Sequence, residues 1–135
     1  MIKIYLDIDG VLLSRKQTIP DNAEELILYL IRYFDCYWLT THCRGGENKT
    51  VEYLCRVYGD KYKSIFSSIK PTNWSDLKTE AIDFNSIFYW LEEFPFESEK
   101  EILKSNDKLD SLILINLTKP LELKRVLNLL KNQSL

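Results

Sequence analysis

Short apolar runs alternate with amphipathic segments along this chain. The β-rich runs lie at residues 2–6, 36–39, 87–91 and 111–115, and each is predicted to form a strand. Apolar residues recur at helical spacing in residues 23–33, 48–58, 75–84 and 121–130, which predicts helices there, whereas residues 62–69 fit neither pattern. Strands alternating with helices predict an α/β fold, a three-layer α/β/α sandwich with a central parallel sheet.

The composition favours one folded domain over residues 1–135. The chain has 135 residues, of which 45% are hydrophobic, enough for a single core and too many for a mainly disordered chain. Eighteen basic and twenty acidic residues give a formal charge of −2, so no broad nucleic-acid surface is predicted, although a local basic groove stays open. Charged residues interrupt every apolar stretch well short of the roughly 20 residues of a membrane span.

The cysteines and the single histidine exclude several kinds of site. Cys36, Cys43 and Cys55 are odd in number and form no CxxC pair, which argues against a disulfide framework or a zinc site and favours a reducing, cytoplasmic location. His42 is the only histidine, so a Ser-His-Asp triad has little support. The pair of His42 and Cys43 is interpreted as part of a loop near the site.

Polar side chains follow three of the predicted strands. They are Asp7 and Asp9 after the first strand, Thr40 and Thr41 after the second, and Glu92 and Glu93 after the third, with Lys78 on the predicted helix before that third strand. In open α/β sheets the ligand site lies beyond the carboxyl ends of the strands. Acids, a hydroxyl group and a lysine brought together at this edge favour phosphoryl transfer.

The order of these residues resembles the haloacid dehalogenase (HAD) superfamily. The segment 4–12, IYLDIDGVL, is similar to its first motif, and residues 37–40, YWLT, are similar to the second. Lys78 fits the third motif, and Glu92, Glu93 and Glu97 fit the fourth. The resemblance covers most of the chain, implies a HAD-like Rossmannoid fold, and is strongest to small capless members, including the HAD domains of RNA-repair proteins.

The resemblance implies a Mg²⁺-dependent phosphomonoester hydrolase, and it assigns a role to each residue. Asp7 is the expected nucleophile, which forms an aspartyl-phosphate, and Asp9 is the expected general acid and base. Thr40 and Lys78 are expected to complete the catalytic set, and Thr41 and Arg44 to bind the substrate phosphate. The expected Mg²⁺ ligands are Asp7, the carbonyl of Asp9, and Glu93, with Glu92 beside it.

One departure from the family pattern and three ambiguous features leave alternatives open. The superfamily usually has aspartate at the fourth motif, and the longer Glu92 and Glu93 displace each carboxylate by about 1–1.5 Å. A catalytically weak domain that binds a phosphorylated partner is therefore one alternative, and a nucleic-acid end-processing phosphatase is another. Asp-x-Asp-Gly also occurs as a plain turn, Arg44 as a surface group, and Lys70 is the substitute for Lys78.

The spacing of the motifs predicts an open site without a cap domain. Thirty residues separate Asp9 from Thr40, and thirty-seven separate Thr40 from Lys78, too few for a separate folded lid. Residues 13–19 and 42–48 are expected to be its only walls. An open site favours a bulky phosphorylated substrate, such as a phosphorylated macromolecule or the end of an oligonucleotide. The sequence does not determine the oligomeric state.

Overall fold

The computed structural model describes residues 1–133 of the chain. The strands are β1 (Lys3–Leu6), β2 (Asp35–Trp38), β3 (Phe88–Glu92) and β4 (Leu112–Leu114). The helices are α1 (Ala23–Tyr33), α2 (Thr50–Tyr58), α3 (Lys63–Ser67), α4 (Glu97–Ser105) and α5 (Glu122–Gln133). Short 3₁₀ segments lie at Thr41–Gly46, Asp60–Tyr62, Lys78–Ala81 and Leu109–Ser111.

The four strands form one parallel sheet in the order β2, β1, β3, β4. In this register Leu6 is aligned with Trp38 of β2 and with Leu91 of β3. The residues just beyond these three positions therefore meet at one edge of the sheet. The predicted α/β class and the parallel sheet are confirmed.

Alternate residues of the strands face two hydrophobic clusters. Ile4 and Leu6 of β1 belong to the larger cluster, which includes the apolar faces of α1 and α5. Tyr5 and Trp90 belong to the other cluster, with Leu103 of α4. Each fully buried aliphatic or phenylalanine side chain stabilises such a core by about 1.5–3 kcal/mol. Burial on both faces holds the sheet, and hence its carboxyl edge, in a fixed position.

The segment between α3 and β3 differs from the prediction. A helix over residues 75–84 was expected, and that prediction is wrong: only Lys78–Ala81 forms a 3₁₀ turn. The Glu80 carboxylate accepts backbone N–H groups from residues 75, 76 and 77, and the backbone is extended again at Ile82. Lys78 therefore lies at the start of a short turn and not within a helix.

Two other helices were not predicted. Residues 62–69, which fit neither pattern, contain α3, and Phe66 of α3 is fully buried in the larger cluster. Helix α4 has only two large apolar residues, Ile102 and Leu103, so its hydrophobic pattern is too sparse to reveal it. Its position matters for function because it begins next to the end of β3.

Candidate active site

Asp7, Lys78 and Glu92 form a buried charged cluster at the carboxyl edge of the sheet. Lys78 Nζ lies 3.2 Å from Asp7 Oδ2 and donates to Glu92 Oε1 at 2.6 Å. The backbone N–H of Ile8 donates to Asp7 Oδ1 at 2.8 Å, and the N–H of Glu93 donates to Glu92 Oε2 at 2.8 Å. Each carboxylate is thus fixed by a backbone N–H on one oxygen and by the ammonium group on the other.

The electrostatics of this cluster are set by burial and by its uneven charge. Burial and, after it, the neighbouring Asp7 carboxylate together raise the pKa of Glu92 to about 8, although Lys78 acts to lower it. Burial alone would lower the pKa of Lys78, but the two carboxylates outweigh it and raise that pKa. Lys78 therefore stays protonated, and without a further cation Glu92 carries a proton more readily than an exposed glutamate does.

Glu93 directly follows β3, and its side chain packs against the loop that follows β1. A side chain at residue 10 would overlap the Glu93 carboxylate, and Gly10 also has a positive φ of 82°, so glycine is required there for two reasons. Arg15 Nη2 donates to Glu93 Oε1 at 2.8 Å. Glu93 is therefore held against Gly10, the residue after Asp9, at the same edge of the sheet as Glu92.

Asp9 is oriented by two aromatic side chains from other elements. Tyr53 of α2 donates its hydroxyl to Asp9 Oδ1 at 2.7 Å, and His42 Nε2 lies 3.3 Å from Asp9 Oδ2. The rings of Tyr53 and His42 stack with centroids 3.9 Å apart. The Asp9 side chain is 49% exposed, so the group expected to act as general acid faces solvent.

The residues after β2 form the adjoining part of the site. Thr40 is fully buried, and its hydroxyl accepts the N–H of His42 at 3.4 Å. Thr41 is exposed. Arg44 donates from Nε to the carbonyl of Ser75 at 2.6 Å and lies over the Trp74 ring. The roles expected for Thr40, Thr41 and Arg44 stay predictions.

A cavity of about 230 Å³ lies over Asp7. Its lining consists of Asp7, Thr41, Trp74, Lys78, Glu92, Glu93, Phe94, Phe96 and Glu99. Five of the predicted site residues therefore share this cavity, and in the described residues Asp9, Thr40 and Arg44 lie outside its lining. The expectation that residues 13–19 and 42–48 are its only walls is wrong, because residues 74–78 and 92–99 supply most of the lining.

The structure distinguishes between alternative residues of the predicted motifs. Lys70 Nζ pairs with Asp35 at the start of β2, so Lys78 is the lysine at Asp7. Glu97 is 86% exposed and pairs with Lys100, away from the cavity. Sequence reasoning missed Glu99, which is buried in the cavity wall and accepts the backbone N–H of Lys78 at 2.7 Å.

The oxygen donors at this edge are of the chemical type that Mg²⁺ binds. Mg²⁺ prefers oxygen ligands and is usually bound by one or two carboxylates together with substrate phosphate and water. Asp7 and Glu93 offer two carboxylates, and Glu93 is packed against the loop that holds the Asp9 carbonyl. Within residues 1–133, no group of three or more His, Cys, Asp or Glu residues is arranged to hold a metal ion. Any Mg²⁺ site here depends on the carbonyl, water and phosphate as well.

Comparisons with protein-family models and with curated proteins find no match to this chain. In the part of the chain that the structure describes, no helix combines the length and apolar character needed to cross a membrane.

Proposed function

We propose that this protein is a Mg²⁺-dependent phosphomonoester hydrolase that acts through an aspartyl-phosphate on Asp7. The observation that carries the proposal is the environment of Asp7, a mostly buried carboxylate at the end of the central strand β1. The Ile8 N–H and the Lys78 ammonium group both contact it. A nucleophilic carboxylate needs such fixed orientation, and a lysine beside it offsets the charge of an incoming phosphate.

The first half of the reaction transfers the phosphoryl group to Asp7. An Asp7 oxygen attacks phosphorus, the bond from phosphorus to the ester oxygen breaks, and its electron pair stays on the leaving oxygen. Asp9 donates a proton to that oxygen, so the alcohol leaves neutral. Lys78 stabilises the negative charge of the transferred group from its position between Asp7 and Glu92.

The second half regenerates Asp7. Asp9, now a carboxylate, takes a proton from water, and the water oxygen attacks phosphorus. The bond between phosphorus and Asp7 breaks, which releases inorganic phosphate and leaves Asp7 ionised. Asp7, the Asp9 carbonyl and Glu93 would hold Mg²⁺, which supplies charge neutralisation for the transferred phosphoryl group.

The test is Mg²⁺-dependent hydrolysis of p-nitrophenyl phosphate by the purified protein. Asp7→Asn keeps the size of the side chain and removes its nucleophilic charge, so at least about a hundredfold loss of kcat is expected. Asp110→Asn is the matched control, because Asp110 is exposed and precedes β4 at the opposite edge of the sheet. Wild-type rate in Asp7→Asn, or no Mg²⁺-dependent hydrolysis by the wild type, would contradict the proposal.

A catalytically weak domain that binds a phosphorylated partner is the second candidate. The observation that favours it is the pairing of Lys78 with both Asp7 and Glu92. Because these carboxylates already neutralise the buried ammonium group, less positive charge is left to stabilise a transferred phosphoryl group. Binding of a phosphorylated ligand to the wild type without any turnover would select this candidate over the hydrolase.

A further inference from the structure

We propose that Tyr53 and His42 are positioning residues that fix the orientation of the Asp9 carboxyl group toward the leaving oxygen. This inference rests on the proposed hydrolase function and concerns the same site. Neither residue belongs to the motif resemblance, and both come from elements other than the loop that contains Asp9: His42 from the 3₁₀ segment after β2 and Tyr53 from α2.

The need for positioning follows from the exposure of Asp9. A side chain that is 49% exposed is only half enclosed by packing, and a carboxyl group that is free to rotate loses effective concentration at the reacting atom. Tyr53 and His42 supply one contact to each carboxyl oxygen, at 2.7 and 3.3 Å. Two contacts on two oxygens define the plane of the group as well as its direction.

The two positioning side chains support each other. Their rings stack at 3.9 Å with an interplanar angle of 27°, and Tyr53 Oη also contacts Gln17 Oε1 at 3.2 Å. Burial, and then the hydrogen bond with Asp9, raise the pKa of Tyr53. Its hydroxyl therefore remains a donor to Asp9 over the whole range in which the enzyme would be assayed.

The contacts leave Asp9 free to react. A carboxyl group has two oxygens with about four lone-pair positions, and the two aromatic residues occupy one position on each oxygen. One position on each oxygen remains for the leaving oxygen or for the hydrolytic water. Tyr53 and His42 thus orient the general acid without taking part in the proton transfer.

The experiment compares two substrates that differ in their need for an acid. p-Nitrophenol leaves without protonation, whereas the alcohol of β-glycerol phosphate must be protonated. Tyr53→Phe and His42→Phe keep the stacked ring and remove the group that contacts Asp9. For each variant we expect kcat/KM to fall about tenfold or more with β-glycerol phosphate and less than about threefold with p-nitrophenyl phosphate.

Two controls separate positioning from a general structural effect. Tyr62→Phe removes another bond from a tyrosine hydroxyl to a carboxylate, that of Glu24, and should change neither rate. Tyr53→Phe placed in an Asp9→Asn background should cause no further loss with β-glycerol phosphate, because the group that it orients no longer acts as an acid. Thermal denaturation of each variant verifies that it folds.

The outcomes are distinct for the inference and for the function. An equal loss on both substrates, no loss on either, or full additivity with Asp9→Asn would overturn the positioning role while the hydrolase stands. If Asp7→Asn keeps the wild-type rate, or the wild type hydrolyses neither substrate, the hydrolase proposal fails and the positioning role fails with it.

Discussion

Glu92 and Glu93 are adjacent in sequence and have different surroundings in the folded chain. Glu92 is buried and bonded to Lys78 and to a backbone N–H. Glu93 is packed against Gly10 and contacts Arg15. The resemblance aligns the metal ligand with the second acid of the pair, and the position of Glu93 beside the loop that holds the Asp9 carbonyl supports that assignment.

The first prediction concerns this division of roles. Glu93→Gln should raise the Mg²⁺ concentration needed for half-maximal activity about tenfold or more, because it removes a carboxylate ligand. Glu92→Gln should raise it less, since Glu92 mainly pairs with Lys78. A Mg²⁺ titration of initial rates measures both. Equal shifts, or a larger shift in Glu92→Gln, would contradict the assignment of the ligand to Glu93.

The second prediction concerns stability in the absence of metal. The folded-state pKa of Glu92 is raised from 4.5 to about 8, so between these values the folded chain binds more protons than the unfolded chain. The contribution of Glu92 to the free energy of unfolding should therefore be largest below about pH 4.5. It should fall as pH rises toward 8, with a slope of up to about 1.4 kcal/mol per pH unit.

Urea denaturation in EDTA at several pH values between 5 and 8 measures this slope. Glu92→Gln replaces the carboxyl group with a neutral amide and should flatten the dependence, whereas Glu101→Gln, on the exposed side of α4, should leave it unchanged. An identical slope in wild type and Glu92→Gln would show that Glu92 titrates normally in the folded state.

At the level of secondary-structure elements, Glu99 joins the start of α4 to the turn that carries Lys78. Its carboxylate accepts the backbone N–H of Lys78 at 2.7 Å and that of Phe96 at 2.8 Å. Glu99 is 2% exposed, so its carboxylate is enclosed by the protein where it accepts these two N–H groups. The position of Lys78 over Asp7 therefore depends on a residue of the following helix.

The third prediction follows from that connection. Glu99→Ala leaves two N–H groups without their acceptor and should lower the free energy of unfolding by about 1–3 kcal/mol. It should also lower kcat, because the Lys78 turn loses its anchor. Glu101→Ala, an exposed position of the same helix, should change stability by less than about 0.5 kcal/mol. Equal stability of the two variants would exclude the anchoring role.

The elements that sequence alone predicts are those with strong apolar patterns. The four strands and helices α1, α2 and α5 were predicted within a few residues, because their buried faces are marked by regular spacing. Residues 75–84 have helix-like spacing, but Glu80 binds three backbone N–H groups there and only a short turn forms. A side chain that competes for backbone groups is invisible to a periodicity argument.

The part of the site formed by residues at the strand ends was predictable from the sequence. Residues that end parallel strands must meet at one edge, and this brought Asp7 and Glu92 together. The partners of Asp9 were not predictable, because Tyr53 is 44 positions from it and nothing local marks that contact. Glu99 was missed for the same reason, since its importance arises only when α4 packs against the Lys78 turn.

At the scale of the whole molecule, the cavity over Asp7 shares part of its wall with a larger one. Glu93 and Phe94 line both the 230 Å³ cavity and a neighbouring cavity of about 660 Å³, which also contains Arg15, Lys119 and Arg125. Phe94 and Phe96 are 70% and 59% exposed. In the described residues α2 and α3 pack into the main core and form no separate lid. Further space therefore lies beside the reacting group, and of its three cationic side chains Arg15 and Arg125 pair with Glu93 and Glu122.

The fourth prediction is that the protein prefers a large phosphorylated substrate. An open site gains little binding energy from a small ester, whereas a polymer can use the neighbouring cavity to raise kcat/KM. Phosphorylated oligonucleotides, with phosphate at the 3′ or the 5′ end, and phosphopeptides should be hydrolysed with higher kcat/KM than small metabolites. A metabolite turned over near 10⁵ M⁻¹s⁻¹, with no activity on phosphorylated polymers, would contradict this.

Phosphorylation of Asp7 during turnover is the most direct consequence of the proposed mechanism. The protein is mixed with p-nitrophenyl phosphate and Mg²⁺, quenched in acid within one turnover, and digested with trypsin, and the peptide of residues 4–15 is analysed by mass spectrometry. The expected result is one phosphate on Asp7 in the wild type and none in Asp7→Asn. Phosphate release by the wild type with no phosphate on Asp7 at any quench time, together with undiminished release by Asp7→Asn, would contradict the mechanism.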